Sequence, residues 1–182
     1  MIFLDAKPNK AHLKLAEMEQ AGKLSAIVTQ NIDGLHQAAG SKNVFELHGS
    51  VHRNYCQKCG KFFDVNYVVN AKGVPYCDEC GGIIKPDVVL YEEGLDSQTI
   101  NGAVRAISKA DMLIIGGTSL VVYPAAGMID YFKGKYLAVL NRDATSRDKQ
   151  ADLCITDPIG EVLGRIRAVT YTHLTLPTNS RV

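Results

Sequence analysis

Apolar residues recur along this chain in two rhythms, one of amphipathic helices and one of short buried strands. Residues 9–22 place Ala11, Leu15 and Met18 on one helical face, with Lys14, Glu17 and Glu19 elsewhere. Asn9 stands where a helix cap belongs and Gly22 where a C-terminal glycine belongs. The runs 24–29 and 44–47 read as strands, separated by a helical turn over 34–40 that a glycine closes. Residues 99–109 predict a second helix with Ile100, Ala103, Val104 and Ile107 facing inward. A strand over 112–115 runs into Gly116-Gly117-Thr118-Ser119, followed by a helix over 124–132 and a strand over 136–140. A last strand (153–156) and helix (159–166) complete the pattern. Strand, glycine turn, helix and strand make a βαβ unit, and uninterrupted apolar strands belong to a parallel sheet. The expected fold class is α/β.

The middle of the chain breaks this rhythm. Residues 50–86 hold four cysteines, several turn glycines and few long apolar runs, as an inserted module would. The segment 86–91 is strand-like and is expected to return the chain to the main sheet. The stretch 168–182 is rich in threonine, has no helical stripe, and reads as a non-native or vector-derived tail, with an edge strand as the alternative.

Composition narrows the possibilities further. Hydrophobic residues make up 46% and charged residues 21%, enough to build a core and too apolar for disorder. A net charge of +1 without a long basic run disfavours nucleic acid as the main partner. No apolar stretch approaches the roughly 20 residues that span a bilayer, and no signal-peptide pattern opens the chain. The expected setting is a soluble protein of a reducing, cytoplasmic compartment.

The most specific motif is Cys56-x2-Cys59 with Cys77-x2-Cys80. A two-residue gap turns both thiolates of a pair toward one metal, and Gly60 and Gly81 permit the tight turns that follow. Four thiolates fill a tetrahedral zinc shell and leave no place for water, so the site would be structural. Two disulfides or free thiols are the alternatives. Cys154 lies within an apolar strand and reads as a small core residue.

Two polar clusters sit at strand ends, where open α/β sheets keep their ligand crevice. The first is Gln30, Asn31 and Asp33, joined by His48 at the end of the next strand. Capping of the helix near Gly34 is the alternative for Asn31 and Asp33, and His48 reads either as a packed histidine or as a base. Gln30 is harder to place in a core, because a buried amide needs partners. His36 reads as part of the helical turn, and His12 and His52 as packing or solvated residues. The second cluster joins Gly117, Thr118 and Ser119, a phosphate-cradle candidate or a plain βα turn, to Asn141, Arg142 and Asp143, a position that commonly meets a nucleotide ribose.

In this order TQNIDGLHQAAG, ELHGS, the paired CxxC motifs, KPDVVLYEE, GGTSLVVYPAA and NRD resemble the sirtuins, NAD-dependent protein-lysine deacylases, and in particular their bacterial type. The likeness runs over about residues 7–166. It implies a Rossmann-like domain from 1–49 and 87–167 with a zinc module over 50–86, and NAD meeting an acyl-lysine peptide in the cleft between them. It implies that His48 is the catalytic base on the nicotinamide ribose, with Asn31 and Asp33 also catalytic. Gln30, Asn31, Ile32 and Asp33 would hold the ribose and nicotinamide, Gly117, Thr118 and Ser119 the phosphates and ribose, and Asn141, Arg142 and Asp143 the adenosine. Val88, Val89 and Tyr91 would pair with the substrate backbone by strand addition. Acyl-ADP-ribose, nicotinamide and free lysine would be the products, with zinc purely structural. The opening strand and glycine-rich loop of sirtuins have no counterpart in this sequence, so an N-terminally truncated chain of weak activity is expected. A non-catalytic zinc-containing module that binds nucleotide or peptide is the alternative.

Overall fold

The computed structural model describes residues 4–167; the stretch read as a tail, 168–182, lies outside them. The first helix, α1 (Lys10–Gln20), starts where Asn9 accepts backbone N–H groups from Ala11 and His12, and Gly22 follows it in a left-handed conformation (φ 67°). Its inner face carries Ala11 and Leu15 as expected, and Ala16, which the spacing did not single out.

β1 (Ile27–Thr29), the short α2 (Leu35–Ala38) and β2 (Val44–Glu46) come next, and β1 pairs with β2 in parallel, Thr29 opposite Glu46. A second parallel sheet has the order β6–β7–β8, from β6 (Met112–Gly116), β7 (Tyr136–Leu140) and β8 (Leu153–Ile155). The expected parallel strands are therefore present and distributed over two sheets. α4 (Ser97–Lys109) buries Ala103 and Ile107 against Leu47 and Met128, and Val28 and Leu113 pack on the same cluster, so one core joins both sheets. On the other side α1 and α5 (Ile159–Gly164) close over β7, with Leu163 1% exposed among Ala11, Ala138 and Leu140. Burying one such leucine is worth about 1.5–3 kcal/mol, which anchors α5.

Between the parallel sheets in sequence lies an antiparallel one, ordered β4–β3–β5, from β3 (Gly49–Cys56), β4 (Phe62–Phe63) and β5 (Ile84–Val88), with α3 (Val65–Val69) beside it. The segment 86–91 departs from expectation here. It does not rejoin a parallel sheet; its strand ends at Val88 and pairs antiparallel with β3, Val88 opposite Gly49. Pro86 lacks an N–H, and it sits at the irregularity where the β3–β5 register shifts between Ser50 and Asn54. Residues 124–132 also differ: Ala125–Tyr131 is a 3₁₀ segment, not an α-helix. Cys154 is exposed on β8, an edge strand among the described residues, its thiol directed to the Asp148 carbonyl, so it is no core residue.

Candidate active site and metal centre

The three-residue strand β1 ends in Thr29, whose hydroxyl accepts the Asn31 N–H at 3.0 Å and turns the chain out of the sheet. The Asp33 carboxylate accepts the Leu35 N–H at 3.0 Å. The helix-capping alternative is thus realised for Asp33, and the bond also fixes the direction of its carboxylate. His52, on β3, bonds the Asp33 carbonyl through Nε2 at 2.9 Å, so a histidine read as mere packing holds the backbone of the polar cluster.

His48 lies half-buried between β2 and β3. Its backbone carbonyl accepts the Val89 N–H at 3.0 Å, and its Nδ1 meets the Gln30 carbonyl at 3.0 Å. A carbonyl oxygen only accepts, so Nδ1 carries the proton and the neutral ring keeps its lone pair on Nε2. That is the tautomer of a poised base held by a backbone acceptor.

The second cluster reaches the same edge. Gly116 pairs with Leu140 at the carboxyl ends of β6 and β7, which sets the turn 117–119 beside 141–143. The Thr118 hydroxyl approaches the Gln30 side-chain oxygen at 3.4 Å, linking the end of β6 to the end of β1. Gln30 is half-exposed with this partner, not sunk in the core. The Gly117 N–H is engaged by the Leu140 carbonyl at 3.3 Å, which leaves Thr118 and Ser119 as the better phosphate candidates of the three. The Asn141 amide donates to the Asp143 carbonyl at 2.9 Å and shapes the turn, while Arg142 and Asp143 are exposed.

Val88 lines a pocket of about 200 Å³ with Ile32, Val51, Lys85, Pro86 and Leu90. Ile32, between Asn31 and Asp33, and Val88 from the expected substrate segment therefore share one apolar wall. Val89 bonds His48 directly, and Tyr91 stands fully in solvent. A broader groove of about 530 Å³ along α3, lined by Asp64, Tyr67 and Tyr76, shares no residue with this site and none of its chemistry.

The four sulfurs of Cys56, Cys59, Cys77 and Cys80 lie within 4.8 Å of one another. Cys56 and Cys80 are 3.4 Å apart, and Cys59 and Cys77 3.7 Å. A disulfide needs about 2.05 Å, whereas zinc–sulfur bonds of about 2.3 Å in a tetrahedron set sulfurs about 3.8 Å apart. The spacing fits zinc. The Cys59 backbone N–H foremost lowers the pKa of the Cys56 thiol, while Cys59 and Cys80 are raised among their neighbouring sulfurs, so four thiolates this close call for a cation between them. Lys61 braces the two knuckles, donating to Asp78 at 2.7 Å and Glu79 at 2.8 Å. Phe63 and Ile84 pack beneath the buried Cys56 and Cys77.

Glu46, Arg53 and Asp87 were not singled out by sequence, yet they form an ion-pair relay, with Glu46 two positions before His48 in the chain: Arg53 reaches Glu46 at 2.7 Å and Asp87 at 2.8 Å. Their separations of 7 and 34 residues follow no local period: the β3–β5 pairing brings Arg53 to Asp87, and only the meeting of two sheets brings it to Glu46.

Parallel strands whose carboxyl ends converge on one polar edge, with a four-cysteine centre alongside, define an α/β protein with its ligand crevice at the strand ends and a structural metal site. Comparison with known proteins gives the family. The chain belongs to the Sir2 family, whose model matches residues 1–124. It is 67% identical over 164 residues to an NAD-dependent protein deacetylase of Clostridium acetobutylicum, covering 90% of this chain and 67% of the relative. It is 45% identical over 163 residues to the NAD-dependent protein deacetylase of Staphylococcus aureus, covering 90% and 67%. Among solved structures it resembles a Sir2–p53 peptide–NAD+ complex, with a TM-score of 0.83 and 41% identity over 89% of this chain and 70% of the other. A Sir2 complex with the inhibitor EX-527, 2'-O-acetyl-ADP-ribose and deacetylated p53 peptide matches as well, at 0.83 and 42% over 89% and 71%. The fold is the Rossmann-like α/β fold of these sirtuins. The chain spans about two thirds of the length of the curated relatives it matches.

Proposed function

We propose that this protein removes acetyl groups from lysine side chains of proteins in an NAD-dependent reaction, giving nicotinamide and O-acetyl-ADP-ribose. The observation that carries the reading is the His48 ring, whose Nδ1–H rests on the Gln30 carbonyl so that Nε2 is the basic nitrogen. The names of the relatives and the ligands in the similar structures agree with it. NAD, when bound, supplies the ribose–nicotinamide bond that is broken and the ribose that takes over the acyl group.

The residues of this chain hold and move protons around it. His48 takes a proton from a ribose hydroxyl, and the resulting imidazolium is stabilised by the Gln30 carbonyl. Asp33, its carboxylate aligned by the Leu35 N–H, and Asn31 orient the nicotinamide end with Gln30 and Ile32. Thr118 and Ser119, with Gly117 shaping their turn, meet the phosphates, and Asn141, Arg142 and Asp143 the adenosine side. Val88, Val89 and Tyr91 take the peptide as an added strand, and the apolar pocket of Ile32 and Val88 accepts the acyl-lysine stem. Other acyl groups fit the same chemistry, so the activity is that of a deacylase and an acyl transfer to ADP-ribose.

The domain reading is a nucleotide domain of 1–49 and 87–167 and a zinc module of 50–86, supported by an antiparallel sheet that overruns the module only by Gly49, Asp87 and Val88. Four free, metal-spaced thiols suit a cytoplasmic setting, and among the described residues no helix is long and apolar enough to cross a membrane.

The test is nicotinamide release from NAD with an acetyl-lysine peptide, expected for the protein and lost in His48→Ala. Release that survives His48→Ala at the parent rate would refute the assignment. Binding of NAD and peptide without turnover, seen by calorimetry, would favour the non-catalytic module instead.

A further inference from the structure

Arg53 lies between Ser50 and Asn54, where the β3–β5 register shifts. Such irregularities re-aim a side chain that regular alternation would send elsewhere. Its neighbour Asn54 is 1% exposed and donates its amide to the Val51 and Phe63 carbonyls, which locks the irregular backbone in place. From this position the guanidinium forks two ways, Nη1 to Glu46 at 2.7 Å and Nε to Asp87 at 2.8 Å. The Glu46 side chain is only 7% exposed and needs a cation, while those of Arg53 and Asp87 are about half open.

The two carboxylates belong to different sheets. Glu46 ends β2 of the parallel pair, opposite Thr29, and Asp87 sits on β5 of the antiparallel sheet, opposite Ser50. His48 stands at the crossing, two residues after Glu46 and one before Gly49. Its placement also draws on both sheets: Nδ1 rests on Gln30, just past β1, and its carbonyl receives the N–H of Val89, just past β5. Any slide of one sheet against the other stretches one of those bonds, and the fork of Arg53 resists that slide.

We propose that Arg53 is a positioning residue for His48: by tying Glu46 to Asp87 across the two sheets it keeps the Nδ1–H on the Gln30 carbonyl and so holds the basic lone pair on Nε2. The proposal rests on His48 as the base. A planar fork suits the task and an ammonium does not, because only the fork bonds two carboxylates in fixed directions.

The experiment is ¹⁵N NMR of the imidazole nitrogens at pH 8 in histidine-labelled protein, for the parent and for Arg53→Met, Arg53→Lys and Asp87→Asn, alongside nicotinamide release. The parent ring should be the Nδ1–H tautomer. Arg53→Met should populate the other tautomer and lower kcat about 10- to 100-fold with KM for NAD little changed, the scale of a misplacement of about 1 Å. Arg53→Lys should recover only part of both effects. Asp87→Asn leaves the buried Glu46 paired, so it reads positioning even if Arg53→Met fails to fold. If Arg53→Lys and Asp87→Asn keep the parent tautomer and only melt earlier, Arg53 is a plain structural ion pair and the proposal falls. If the parent releases no nicotinamide, the proposed activity fails, and the tautomer comparison still decides the role of Arg53.

Discussion

Replacing Gly49 with alanine tests the link between backbone and site most sharply. Gly49 has φ of +75°, and a Cβ built on it would stand 1.9 Å from the Asp87 carbonyl oxygen and 2.9 Å from its carbon. Ordinary contact begins near 3.4 Å, so β3 and β5 must part by about 1.5 Å there, on the scale of van der Waals packing. The left-handed backbone alone costs a non-glycine residue about 1–2 kcal/mol. Parting the strands stretches the Val89–His48 bond of 3.0 Å past hydrogen-bonding range, a further loss of about 1 kcal/mol, and crowding adds about 1–3 kcal/mol. The expected destabilisation is about 3–6 kcal/mol. With a urea slope of about 1–3 kcal/mol per molar, the midpoint should fall by about 2 M. The chain has no tryptophan, so circular dichroism at 222 nm is the suitable signal. Gly22→Ala is the control: φ is +67° and nothing lies within 4 Å of the added Cβ, so only the left-handed backbone penalty of about 1–2 kcal/mol applies. Equal midpoints for the two variants would refute the reasoning, because they would show that the close approach of Asp87 costs nothing.

Two other outcomes follow from the metal centre and the histidines. Purified protein should carry one zinc per chain; a chelator should lower its melting temperature, and cobalt should give a tetrathiolate spectrum, whereas a cobalt spectrum without thiolate bands would remove the metal centre. Burial foremost lowers the pKa of both His12 and His36, whose ring centroids are 4.7 Å apart and which lie near Asp33 and, for His36, Glu46. The folded state therefore binds fewer protons than the unfolded chain below the ordinary histidine value of about 6.5, and stability should fall as pH drops through that value until the folded rings also protonate. Urea midpoints at pH 7.5 and 5.5 should differ in that sense, and His36→Gln should flatten the difference; an unchanged pH slope in the variant would count against the pairing.

The local elements and the metal set were legible because they obey short periods. The apolar stripe of Ala103 and Ile107, the Asn9 cap, the parallel-sheet strand over 136–140 and the CxxC pairs each depend on residues within a few positions of one another. The placement of Gln30, Asp33 and His48 at strand ends was readable for the same reason. Other features depended on register between distant segments. The segment after Pro86 turned to the antiparallel sheet because its partners lie on β3, and Cys154 is exposed because, among the described residues, nothing packs over its face of β8. The tautomer of His48 and the fork of Arg53 likewise came from contacts 18 and 34 residues apart. Side-chain chemistry is written residue by residue, but a hydrogen bond acts over about 3 Å, so only the folded chain decided which of these groups could act on one another.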